Sequence, residues 1–167
     1  MLTLRLTQKL AASLHVYLER NVLSATNPSI DWCCQRFTAS RSRYLLITNA
    51  STFYSVVLRA QGMGNLSDFT NGVIAGLRGY LLNAGHELTF TRLIGPECTE
   101  VRFVPVGDRH ALGVMNEFIF MAKGYLEDLS PLETSDRLND CPVSTLGGKF
   151  PSDLFPPVGM KPSEARS

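Results

Sequence analysis

Arg109, His110, Asn116 and Glu117 lie close together in the chain, and around a helix beginning after Asp108 they fall on one side with Gly113 between them. Such a set could do hydrolytic or nucleotide-processing chemistry: Arg109 would hold an anion, Glu117 would act as general base, and Asn116 would orient substrate or water. A glycine inside a helix costs about 1 kcal/mol relative to alanine, so Gly113 asks for a reason, such as close approach of another backbone or a ligand. The expected feature is a shallow notch walled by Arg109, Asn116, Glu117 and His110, near the positive end of the helix dipole. A single exposed face, however, neither excludes water nor perturbs a carboxylate. An ordinary solvated face, with Gly113 admitting a neighbouring loop, accounts for the same residues and is the favoured reading. A second group, Arg36, Arg41 and Arg43 beside Tyr44, offers phosphate contact and base stacking in one place and is the nucleic-acid candidate.

Other chemistries find little support. The four cysteines, Cys33, Cys34, Cys98 and Cys141, include no pair with the spacing of zinc knuckles or redox dithiols, and no two histidines sit at helical spacing. There is no phosphate-cradling glycine loop and no nucleophile elbow. We therefore expect no metal and no cofactor. A net charge of +1 neither demands nor excludes nucleic acid. With 44% hydrophobic and 19% charged residues the composition is that of a soluble globular chain. Arg5, Gln8 and Lys9 interrupt the first apolar run before it reaches signal-peptide length, and no stretch is long enough to span a bilayer. Free thiols in the cytoplasm, with no membrane association, are the expectation.

The elements that must position these residues follow from periodicity. Asp108 is placed to cap a helix in which Leu112, Met115, Ile119, Ala122 and Leu126 make one stripe and Ala111, Val114, Phe118, Met121 and Tyr125 the stripe beside it. Leu2, Leu4 and Leu6 alternate as a strand, and Thr7 then caps a short helix through Leu10, Ala11 and Leu14. Asn21 to Asp31 reads as loop. The segment Trp32 to Phe37 suits one helical turn capped by Asp31, with Trp32 as a core anchor. Tyr44 to Thr48 and Thr52 to Leu58 form a hairpin, and Asn65 caps a second long helix ending at Gly85. Gly72, Gly76 and Gly79 suggest that this helix packs closely on another helix, such as the one after Asp108. Glu87 to Leu93 and Glu100 to Val106 alternate as further strands, and Pro105 suits an edge. Prolines recur from Pro131 onward without lasting apolar period, so this part reads as a tail. Leu138, Val143, Leu146 or Phe150 would let it wrap the domain, or Leu154, Phe155 and Val158 would serve as a partner-binding peptide.

These elements predict an α+β domain over residues 1–129, a mostly antiparallel sheet of four to five strands with two long helices on one face, followed by a proline-containing irregular tail over 130–167. Leu4-Arg5-Leu6-Thr7-Gln8-Lys9-Leu10, Asn27-Pro28 with Asp31-Trp32, the hairpin from Leu46 to Val56, and above all Asp108-Arg109-His110-Ala111-Leu112-Gly113-Val114-Met115-Asn116-Glu117 resemble an uncharacterised bacterial domain of unknown function. Relatives in that family stand alone or are joined to plasmid ORF-3-like, mobile-element-associated proteins. The resemblance covers residues 1 to 128. It departs from the family pattern at His110, where serine is expected, and at Glu117, where aspartate is expected. The first departure counts against a catalytic His110, and the second leaves an acidic group after Asn116. The resemblance implies no reaction. On all of this the expectation is a non-catalytic interaction module for a protein or nucleic-acid partner, using the notch, the hairpin edge or the tail. A small hydrolase using Arg109, Asn116 and Glu117 is the alternative.

Overall fold

Alternation of leucine with Thr3 and Arg5 makes Leu2–Leu6 a strand, β1, whose three leucines are fully buried. The computed structural model describes residues 1–20, 22 and 27–157. Asn21 and residues 23–26 of the loop expected over Asn21 to Asp31 therefore lie outside the described residues, as does Val158. Thr7 accepts a hydrogen bond from the Leu10 amide and opens α1, Gln8–Ser13. Asn27 caps a short turn over Pro28–Ile30, and the chain then enters β2, Asp31–Ala39. The helical turn expected at Trp32 to Phe37 is thus a strand. Its consecutive apolar residues are buried on both faces of a sheet, a pattern that periodicity alone does not separate from a buried helical turn. Trp32 is the core anchor it was expected to be, with its indole N–H donating to the Ser29 carbonyl at 2.7 Å.

β3, Ser42–Asn49, and β4, Ser55–Arg59, form the expected hairpin, and β5, Val101–Pro105, lies at a sheet edge. The strand order is β4-β3-β2-β1-β5. The sheet is mixed: β2, β3 and β4 pair antiparallel, whereas β1 pairs parallel with both β2 and β5. The expected antiparallel sheet fails at β1, because the chain passes through α1 before returning alongside it, and such a crossover brings strands in parallel.

Two long helices form as expected: α2, Leu66–Asn83, capped by Asn65, and α4, Arg109–Tyr125, capped by Asp108. They lie on opposite faces of the sheet, not on one. Phe69, Val73, Leu77 and Leu81 of α2 join Leu4, Trp32, Cys34, Leu45, Ile47 and Val56, while Val114, Met115, Phe118 and Ala122 of α4 join the intervening Cys33, Leu46 and Val57. Since neighbouring strand residues point to opposite faces, apolar runs such as Leu45-Leu46-Ile47 need cover on both. The glycines of α2 accordingly do not meet α4. A Cβ at Gly76 would stand 2.2 Å from Leu58 of β4, and one at Gly72 2.5 Å from Met63.

Between α2 and β5 the expected strand at Glu87 to Leu93 is helical instead: α3, Glu87–Thr89, continues as a wider turn over Phe90–Ile94. Burial of Thr89, Phe90, Leu93 and Ile94, with Leu88 exposed, follows helical spacing. The segment expected to be an irregular tail contains α5, Pro131–Asn139, opened by a capping box of Ser130 and Glu133, and α6, Pro151–Leu154. Leu138, Val143 and Phe155 are buried. Asn139 accepts from the Ser55 amide at 2.7 Å and donates to the Ser55 carbonyl at 2.9 Å, and Ser135 accepts from the Val57 amide at 2.8 Å. Side chains of α5 thereby bond to the outer edge of β4, which no strand among the described residues covers.

Candidate functional site

The helix after Asp108 positions Arg109, His110, Gly113, Asn116 and Glu117 as expected, and all five are exposed. A Cβ at Gly113 would meet nothing within 4 Å, so the close approach invoked for this glycine is absent and the notch stands open. Asn116 turns instead towards the sheet, where its Oδ1 accepts from Gln35 Nε2 at 3.2 Å.

That contact belongs to a larger feature. β1 makes its last pair with β2 at Leu6 and Cys34, but β2 runs on through residues 35–39. Over this overhang α1 stands on one side and α4 on the other. The groove between them has a volume of about 740 Å³ and is lined by four consecutive residues of β2, Gln35 to Thr38, together with side chains of both helices. Lys9, Arg36, Arg43 and Lys123 line it, and no carboxylate does among the described residues. Arg36 is held by a 3.2 Å hydrogen bond from Nη1 to Ser13 Oγ of α1. Arg36 and Arg43 also line a neighbouring hollow of about 370 Å³ with Arg59, so the positive stripe continues around the hairpin. Cations this close, without intervening acids, raise the local concentration of anions even on a chain that is nearly neutral overall.

Of the sequence-predicted nucleic-acid residues, Arg36 and Arg43 come together in this groove. Arg41 lies at the exposed hairpin turn with φ of 64° and does not line it. Tyr44 is not a stacking platform. It is 3% exposed, stacked on Phe37 with ring centroids 5.7 Å apart, and has the Arg59 guanidinium 5.5 Å from its ring. The residues that sequence reasoning missed are Lys9 and Lys123, which stand on α1 and α4 far apart in the chain. Their only sequence signal was a lysine on the polar side of each helix.

A third hollow, of about 230 Å³, lies at the start of α4 beside the Arg5–Asp31 pair. There the Arg5 guanidinium donates twice to the Asp31 carboxylate, at 2.7 and 2.9 Å, which raises the Arg5 pKa. Burial pushes the neighbouring Cys33 thiol up to about 12, the wrong direction for a nucleophile. Among the described residues no group of three or more His, Cys, Asp or Glu side chains could hold a metal ion, and no helix is long and apolar enough to cross a membrane.

These features define an α+β protein with a mixed five-stranded sheet, helices on both faces and a cationic groove at the overhang of its central strand. The chain belongs to the family described as a domain of unknown function (DUF6933), whose model matches residues 3–154 and so takes in α5 and α6. No curated protein matches it.

Proposed function

We propose that the chain is a non-catalytic interaction module that holds an anionic partner in the groove between α1, the overhang of β2 and α4. The observation that carries this is the convergence of Lys9, Arg36, Arg43 and Lys123, from separate elements, on one groove that no carboxylate among the described residues lines. The hydrolase alternative lacks comparable support, since Arg109 and Glu117 are exposed beside an open Gly113, where no wall excludes water. The motif from Asp108 to Glu117 supports a bacterial origin and mobile-element-associated relatives, and four free thiols suit the cytoplasm.

Fluorescence anisotropy with labelled polyglutamate and labelled oligo-dT at low ionic strength tests the reading. At least one polymer should bind, more weakly as salt rises, and Arg36→Gln combined with Lys123→Gln should weaken it about tenfold. Absence of binding to both polymers, or equal binding by the double variant, overturns it.

A further inference from the structure

We infer that the occupant of the groove is an acidic peptide segment in extended conformation, added as a strand to the free edge of β2; this rests on the groove being the binding surface, as proposed above. The edge follows from the ladder. The Thr7 amide donates to the Cys34 carbonyl at 3.4 Å, so the main chain of Cys34 faces β1, and alternation turns the main chain of Arg36 and Thr38 the same way. Their odd-numbered neighbours face β3, with which Gln35 and Phe37 are in register at Leu46 and Tyr44. Beyond Leu6 no strand among the described residues continues beside β2, so the N–H and C=O groups of Arg36 and Thr38 front the groove with no described strand to pair with. The opposite edge of the sheet's hairpin is closed by Asn139 and Ser135, whereas this one is left open.

An added strand has two sets of side chains, one towards each face of the sheet. Here one set meets Lys9 and Arg36 on the α1 side, and the other meets Lys123 on the α4 side, so acidic residues are complemented on both. A peptide of the length of residues 35–39 spans roughly 17 Å. Single-stranded nucleic acid fits less well, because it takes much of its affinity from stacking on exposed aromatics. The aromatic rings beside this groove, Phe37 and Tyr44, are 7% and 3% exposed and already stacked on each other.

The probe is a fluorescein-labelled, acetylated heptapeptide of alternating glutamate and valine, compared with the same peptide N-methylated at every peptide bond and with oligo-dT. The unmethylated peptide should bind, methylation should weaken it at least about tenfold at unchanged charge, and amide exchange at Arg36 and Thr38 should slow in the complex. Arg36→Gln should weaken binding by a few-fold, with circular dichroism confirming the fold. Equal binding of the two peptides, or no slowing at Arg36 and Thr38, overturns strand addition while leaving the anionic groove. Binding of oligo-dT alone does the same and points to nucleic acid. Binding of none of the three, with polyglutamate also unbound, removes the groove reading itself.

Discussion

Replacing Asn139 by alanine should be among the most damaging single changes available in the part of the chain beyond α4. The side chain sits 3% exposed against Ser55, which is fully buried, and engages both main-chain groups of that residue. It also donates to the Tyr80 hydroxyl at 3.1 Å, which keeps its own bond to Asp136 at 2.6 Å. Truncation therefore orphans one buried N–H and one buried C=O on β4. At about 1–3 kcal/mol for each of the two unsatisfied groups the loss is about 2–6 kcal/mol, a large share of the roughly 5–15 kcal/mol that holds a domain together. At about 2–4 °C for each kcal/mol the melting temperature should drop by about 4–24 °C. Ser135→Ala orphans only the Val57 amide and should cost about half as much. Urea titration followed by Trp32 fluorescence gives both values, and the slope should stay unchanged. A loss below about 1 kcal/mol for Asn139→Ala would mean that water or a relaxed α5 replaces the side chain, and the edge-sealing role would be wrong.

The two helical glycines should respond in opposite directions. Gly113→Ala enters open space and should stabilise by about 1 kcal/mol, whereas Gly76→Ala sets a Cβ 2.2 Å from Leu58 and should cost about 1–3 kcal/mol; urea midpoints shifting the same way would refute the packing described. Phe155→Ala removes a ring stacked on Tyr54 at 4.4 Å and tilted against Trp32 at 5.8 Å, and a loss of about 3–5 kcal/mol is expected by the same titration; an unchanged midpoint would place residue 155 outside the core. Burial raises the Cys33 thiol from 9.0 and the Tyr54 phenol from 10.0, each to about 12. Between those limits the folded chain holds protons that the unfolded chain has released. Stability from these groups is therefore complete below pH 9 and is lost as pH climbs towards 12. The urea midpoint should fall over that range and fall less in Cys33→Ala; a flat profile would contradict the burial.

The helix after Asp108 was legible because its cap, its length and its broad apolar arc repeat one message over many residues, and α2 was legible for the same reason. The hairpin was equally clear, with β-branched and aromatic residues on both sides of a short link. Trp32 to Phe37 and Glu87 to Leu93 were misread in opposite directions. Each is a short segment whose apolar residues fit either period, and only the neighbouring sheet decides which face is buried. The recurrence of proline hid α5, although Ser130, Pro131 and Glu133 already spelled a helix start.

Local pattern thus determined the capped helices, the hairpin and the arginines at its end. The tertiary structure decided which sheet face each helix covers, that α5 seals β4, and that Lys9 and Lys123 join Arg36 and Arg43 around a strand end left open. The reason is physical: caps and periods act between residues a few positions apart, whereas a groove is made by surfaces from distant segments, and neither the lysines nor the bare edge of β2 exists as a site until α1, β2 and α4 meet.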